Sequence, residues 1–374
     1  MKKLLLSIIL TLFFTHTFYS QTTFTGKPMY NILTKRAGVY LGTTTVELFP
    51  NIAPLHTKNF DSLVSTQFFD STAFHRVIPG FMIQGGDPNS RSGPKSTWGN
   101  GDTSQPCVNA EFTAARHIRG ALSAARDTNI NSANSQFFIC VATAGWLNGQ
   151  YSVYGRVTAG MDIVDSIVNS PRDSVDNPLQ KIEMFVTYVG SNDSVPLDPV
   201  PTLPAYGSAT QNSFVSIKWN AVSDGIIYHL EVSTDSNFTT LFKSVDVGTN
   251  LYTCTGLTVS NTYYWRVKTN NGGKFSNWSP TWFFMRTPVG IENYAVVPNK
   301  ILVSPNPSNG IFNFSNLGKE NRIEIYDLTG KMIYQSAAKG NACSINLNDK
   351  EGGIYFYRVI SEKKEIQQGK LILY

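Results

Sequence analysis

Two breaks in composition constrain this 374-residue chain before any motif is read. Ser194-Val195-Pro196-Leu197-Asp198-Pro199-Val200-Pro201 is a proline-rich, semi-rigid connector. A second break runs from Thr287-Pro288 through Pro298. Between and beyond them lie short alternating runs cut by turn residues, with no internal repeat. The chain is therefore expected to fold as three unlike units in series, residues 27–190, 199–288 and 298–374.

The N-terminus comes first. Lys2-Lys3, an apolar stretch from Leu4 to Phe14 and then Ser20-Gln21 give a positive start, a short apolar run and a small residue before a polar one. Residues 1–20 thus read as a secretory signal peptide, too short in its apolar part to span a bilayer. No later segment is apolar enough to cross a membrane. The formal charge of +5 is dispersed: +2 in the first twenty residues, +1 over 27–190, zero over 191–290 and +2 over 291–374. No segment concentrates the positive charge that phosphate binding needs, so nucleic acid is not an expected partner. Four cysteines, at 107, 140, 254 and 343, show no CxxC spacing and no nearby histidine, which argues against zinc. Residues 107 and 140 could bridge within one unit, but Cys140 sits in the continuous apolar run Phe137–Val141 and reads as a buried, inert thiol.

With 12% aromatic and 15% charged residues the composition suits a β-rich globular chain. In the first unit Val39–Leu48 alternates as a strand. Pro54 opens a helix with Phe60, Leu63 and Val64 on one face, and Met161, Val164 and Val168 repeat at helical spacing. The long middle reads as strands and Gly-rich loops. The fold class expected is mainly β: a closed antiparallel barrel capped by two helices, followed by a β-sandwich and a smaller C-terminal β-sandwich.

The second unit alternates at Val215, Ile217 and Trp219, at Tyr228, Leu230 and Val232, and at Tyr263, Trp265 and Val267. It resembles a fibronectin type III module. Trp219 fits the buried tryptophan of an early strand, and Leu257 with Tyr263 fits the corner motif. It is expected to serve as a spacer more than as a contact surface. The third unit carries Ser304-Pro305-Asn306-Pro307-Ser308-Asn309-Gly310, then Ile323–Lys331 and Gly352–Val359. These motifs, in this order, resemble the C-terminal sorting domain of the type IX secretion system. The resemblance implies passage through the periplasm, recognition of residues 298–374 by that machinery, and release or attachment at the outer surface.

The most informative stretch is Phe74-His75-Arg76-Val77-Ile78-Pro79-Gly80-Phe81-Met82-Ile83-Gln84-Gly85-Gly86-Asp87. Downstream follow Gly120–Arg126, Ser132–Ile139 and Trp146-Leu147-Asn148-Gly149. In order and over about 160 residues, these blocks resemble the cyclophilin family of peptidyl-prolyl isomerases. By that resemblance Arg76 is the catalytic residue. Phe81, Met82, Phe138, Leu147 and Tyr151 line the proline pocket. Gln84 and Gln136, with Ala125 and Arg126, hold the substrate backbone, and Trp146 matches the inhibitor-contact position. Tyr151 stands where the best-known members carry His, and Arg126 replaces a common Asn. The alternating neighbours Phe137 and Ile139 read as ordinary core.

The residue types suit the reaction. Rotation about a peptide bond crosses about 18–20 kcal/mol because amide resonance is lost. At the twisted transition state the proline nitrogen becomes pyramidal, and a cationic donor aimed at it binds that state better than the planar one. One charge-assisted hydrogen bond contributes about 1.5–3 kcal/mol, one to two decades of rate. A dry apolar pocket and a held chain would supply the rest. An apolar frame of Phe74, Val77, Phe81 and Met82 is expected around Arg76. No metal or cofactor is called for, and His75 and His117 read as structural because bond rotation transfers no proton. The expected partners are proline-containing polypeptides. The competing expectation is a non-catalytic surface protein that binds such peptides or adheres through its sandwich.

Overall fold

The computed structural model describes residues 24–288, 300–317, 320–361 and 366–374. The signal peptide read at 1–20 and most of the second compositional break lie outside the described residues. Two compact units emerge, one ending at Pro288 and one beginning at Val289.

The first unit opens with an eight-stranded sheet. Its strands are β1 (Lys27–Arg36), β2 (Val39–Leu48), β3 (Phe74–Ile78), β4 (Met82–Gly85), β5 (Ala121–Ala124), β6 (Phe137–Cys140), β7 (Val153–Ala159) and β8 (Ile182–Asn192). The order is β3-β4-β6-β5-β7-β2-β1-β8, antiparallel at every step. The sheet curls until its ends meet. Ser71 N–H donates to Met184 O at 3.0 Å, Met184 N–H donates to Thr72 O at 2.8 Å, and Ala73 bridges Glu183.

Helices α1 (Pro54–Ser65) and α3 (Met161–Val168) form as the sequence predicts, each burying its apolar face against the sheet. A single turn, α2 (Asn89–Ser92), and two 3-10 turns at Lys95–Thr97 and Gly145–Leu147 occupy stretches read from sequence as loops. Helix α1 begins at Pro54 with no side-chain cap of its own. Glu111, distant in sequence, supplies one: its carboxylate accepts from Leu55 N–H at 3.0 Å and His56 N–H at 3.1 Å. The enclosed core includes Tyr30, Ile32, Val46, Leu48, Phe60, Phe74, Val77, Phe137 and Ile139. Phe74 and Val77 therefore face the barrel interior, and the frame expected around Arg76 does not include them.

The same unit continues into a sandwich. One sheet joins β10 (Ser208–Thr210), β12 (Ile227–Ser233), β13 (Leu241–Val247), β15 (Asn261–Asn270) and β16 (Trp282–Arg286). The other joins β9 (Pro201–Leu203), β11 (Phe214–Trp219) and β14 (Leu251–Thr255). Trp219, Leu230, Val232, Tyr263, Trp265 and Phe284 are buried between them. Tyr263 Oη accepts from Thr258 N–H at 2.7 Å, pinning the corner after Leu257.

The second unit has strands β17 (Leu302–Ser304), β18 (Ile311–Ser315), β19 (Glu320–Tyr326), β20 (Met332–Lys339), β21 (Ala342–Asn346), β22 (Gly353–Ser361) and β23 (Ile366–Leu373). They form sheets β17-β18-β21 and β20-β19-β22-β23 around Phe312, Phe314, Ile323, Ile325, Ile345 and Leu371. All four cysteines are free, and burial pushes the Cys140 thiol up to about 12.

Candidate active site

The site is a row of residues set by cross-strand register. Arg76 on β3 pairs with Gln84 on β4, Gln84 with Phe138 on β6, and Phe138 with Ser123 on β5. Two residues along, Ile78, Met82 and Cys140 are likewise aligned. Because side chains alternate across a strand, Phe138 and Cys140 turn outward while Phe137 and Ile139 enter the barrel core. The outward set forms a second apolar cluster with Met82, Phe138, Cys140, Leu147 and Val153, against which Phe81, Ala125 and Tyr151 pack.

Aromatic contacts link the side chains of this cluster. Phe81 lies 5.5 Å from the exposed Trp146 and 6.5 Å from Phe138, and Tyr151 stands edge-on to Phe138 at 6.0 Å. Arg126 covers Tyr151 with its guanidinium 4.3 Å from the ring centroid. It is tied there by hydrogen bonds to the carbonyls of Gln150 and Asp127.

Arg76 is exposed, and among the described residues it forms no ion pair. Its Nη1 approaches Gln84 Oε1 at 3.5 Å. Gln84 Nε2 donates to Gln136 Oε1 at 3.0 Å, and Gln136 Nε2 donates to Gly99 O at 3.2 Å. A guanidinium leaning on a neutral amide keeps its charge and most of its five donors for another acceptor.

The eleven residues singled out by sequence fall into two neighbouring groups. Phe81, Met82, Phe138, Trp146, Leu147 and Tyr151 belong to the outward apolar cluster and its aromatic edge. Gln84, Ala125, Arg126 and Gln136 border a separate polar cavity of about 340 Å³, with Asp102, Cys107 and Asn134 among its other walls. Arg76 stands on β3 beside Gln84, the residue leading from one group to the other. The Ala125 N–H is already donated to Gln136 O at 3.0 Å, so that donor is engaged within the protein. The cavity rim is fixed by the buried Asp87, whose carboxylate accepts from Asn89 N–H at 3.0 Å and from Gly99 N–H.

Sequence reasoning gave His117 no place in the site. It is fully buried and stacks on Phe138, with centroids 5.9 Å apart and planes 14° from parallel. Its Nδ1 lies 3.2 Å from Asn148 Oδ1 and its Nε2 lies 3.0 Å from Ser123 Oγ. Burial lowers its pKa, as it does for His75, and the neutral ring serves as a wall against Phe138. No spacing in the sequence marks this role, which arises only when the segment before β5 folds behind β6.

Comparison with known proteins gives the class to which this barrel belongs. Residues 31–189 match the family described as cyclophilin type peptidyl-prolyl cis-trans isomerase/CLD, and residues 302–374 match the secretion system C-terminal sorting domain. A peptidyl-prolyl cis-trans isomerase of Acinetobacter baylyi is 40% identical over 165 residues, covering 43% of this chain and 77% of that protein. A probable peptidyl-prolyl cis-trans isomerase of Brucella suis is 44% identical over 130 residues, covering 34% and 66%. A crystal structure of a Cryptosporidium parvum cyclophilin-type isomerase is 28% identical, with a TM-score of 0.39, covering 44% of this chain and 99% of that one. The chain belongs to the cyclophilin-type peptidyl-prolyl cis-trans isomerases. It is an isomerase that also carries a secretion sorting domain and is exported.

Proposed function

We propose that the exported isomerase acts on proline-containing polypeptides at the apolar cluster of Phe81, Met82, Phe138, Leu147 and Tyr151, with Arg76 as the catalytic residue. The observation that carries this is the register row Arg76–Gln84–Phe138, which sets a cation with no ion pair among the described residues beside an apolar floor. The proline ring seats on Phe138, and the guanidinium donates to the pyramidal nitrogen as the bond twists. Gln84 and Gln136 steady the flanking backbone, and Trp146 borders the pocket mouth.

The route is passage through the periplasm followed by type IX delivery to the outer surface or medium. The β17–β23 unit would be the part the machinery reads. We assign residues 27–190, 199–288 and 298–374 to isomerase, fibronectin type III-like and sorting modules. The Tyr263 corner bond and the buried Trp219 support the middle assignment. The experiment has two arms. Trace full-length protein should speed cis–trans exchange at the proline of a short Ala-Pro peptide by NMR, and no gain over buffer would sink the substrate reading. Deleting residues 298–374 should leave the protein in the periplasm, and unchanged surface delivery would sink the route.

A further inference from the structure

The apolar layer of the site does not stop at the barrel. Phe138, Met82 and Leu147 share one cluster with Phe49, Ile52, Ala115 and Val153, and the cluster is completed by Ile227 from β12 of the sandwich. Ile226 and Ala114 pack onto its edge. The join is close at three glycines. A Cβ at Gly248, in the turn between β13 and β14, would overlap the Ala114 carbonyl oxygen and come within 2.8 Å of Arg116 Cγ. One at Gly273 would lie 2.7 Å from Lys27 Cγ, and one at Gly272 would run into the Phe49 ring.

Hydrogen bonds fix the same edge. Asn51 N–H donates to Gly272 O at 2.8 Å and Asn51 Nδ2 donates to Gly273 O at 2.6 Å. Beneath them the buried Lys27 pairs with the buried Glu47 at 3.1 Å, and Glu47 also accepts from Arg156 and Asn192. A cavity of about 200 Å³, bordered by Phe49, Arg116, Val153, Ile226 and Gly248, remains along the join. The support is therefore delivered at discrete points.

Those points lead to the site. Ala114 and Arg116, which the Gly248 turn approaches, and Ala115, which shares a cluster with Ile227, run directly into His117, and His117 stacks on Phe138 and meets Tyr151 edge-on. We propose that the sandwich is a positioning element of the isomerase: Ile227 and the Gly248 turn hold residues 114–117, and through His117 they fix the rings of Phe138 and Tyr151. The proposal rests on the assignment of those rings to the proline pocket. It makes the middle module part of the working enzyme, where its sequence suggests a spacer. Packed side chains transmit such support only when their arrangement is well determined, so coupling must be measured.

The test uses the full chain. The Gly248 φ lies outside the left-handed region, so Gly248→Leu strains the contact with Ala114 and not the turn itself. The expected result is a fall of about tenfold in kcat/KM for an Ala-Pro peptide, mainly in kcat, because sub-ångström misplacement of a pocket wall is costly. Amide exchange of residues 114–119 should accelerate alongside. Val232→Ala, in the sandwich core away from the join, is the control and should lower stability while leaving kcat/KM unchanged. If Gly248→Leu does not fold, Ile227→Ala carries the same readouts. A kcat/KM within about twofold of the parent, or an equal loss in Val232→Ala, overturns the proposal. Failure of the pocket assignment would look different, since Phe138→Ala would then retain full activity.

Discussion

Replacing His117 separates packing from proton chemistry. The folded ring is neutral, because burial lowers its pKa, so it has one donor and one acceptor. Asn148 Oδ1 accepts from the His117 backbone N–H at 2.8 Å and also faces Nδ1, which assigns the ring proton to Nδ1. Nε2 then competes with the Ser152 carbonyl, 3.0 Å from Ser123 Oγ, for the Ser123 hydroxyl proton. His117→Phe keeps a flat ring against Phe138 and leaves neither partner orphaned, since Asn148 retains the backbone donor and Ser123 turns fully to Ser152. The net cost is one neutral hydrogen bond, from Nδ1–H to Asn148, about 0.5–1.5 kcal/mol of stability, because the Ser123 hydroxyl keeps an acceptor. His117→Ala instead opens a cavity behind Phe138, costing about 3–5 kcal/mol by analogy with aromatic truncations in cores. It also frees the Phe138 ring. Urea unfolding gives the stabilities, and cis–trans exchange of an Ala-Pro peptide gives the rates. The Phe variant should stay within about threefold of the parent in kcat/KM, and the Ala variant should lose about tenfold. A Phe variant as impaired as the Ala variant would refute this reasoning, because the imidazole itself would then be required.

Two further outcomes follow from the same packing. Glu111→Ala removes the carboxylate that caps α1 and meets His56 Nδ1 at 2.7 Å, and should cost about 2–3 kcal/mol; Glu111→Gln should cost less. Equal urea midpoints for parent and Ala variant would contradict the capping role. Burial lowers the pKa of both His75 and His117, so the unfolded chain binds protons that the folded chain refuses. Their contribution is complete above the unfolded value of about 6.5 and is lost as pH falls toward their folded values, with a slope of up to about 1.4 kcal/mol per pH unit for each. Urea midpoints at pH 7.5 and 5.5 should therefore differ, and His117→Phe should reduce the difference.

Alternation from Phe138 was enough to assign its neighbours Phe137 and Ile139 to the core, where the structure has them. Pro54 and the 3.6-residue spacing located α1. The frame around Arg76 failed for a local reason. The β3–β4 register shifts between Phe74 and Arg76, so the two do not share a face as their spacing suggests, while Val77, next to Arg76, falls on the opposite face by simple alternation. His117 was missed because its partners Phe138, Ser123 and Asn148 converge only through the fold. The docking of the sandwich was illegible for another reason: Gly248, Gly272 and Gly273 approach the barrel because they lack side chains, and no hydrophobic pattern marks them.

In the proposed mechanism the Arg76 guanidinium, beside an apolar floor, drives bond rotation. Full-length parent and Arg76→Ala protein should be compared for cis–trans exchange of one Ala-Pro peptide at equal folded concentration. Arg76 is exposed and free of ion pairs among the described residues, so its removal should leave the urea midpoint unchanged. The expected loss in kcat/KM is about 10- to 100-fold, matching one charge-assisted hydrogen bond made in the transition state. Equal rates for the two proteins would contradict the account.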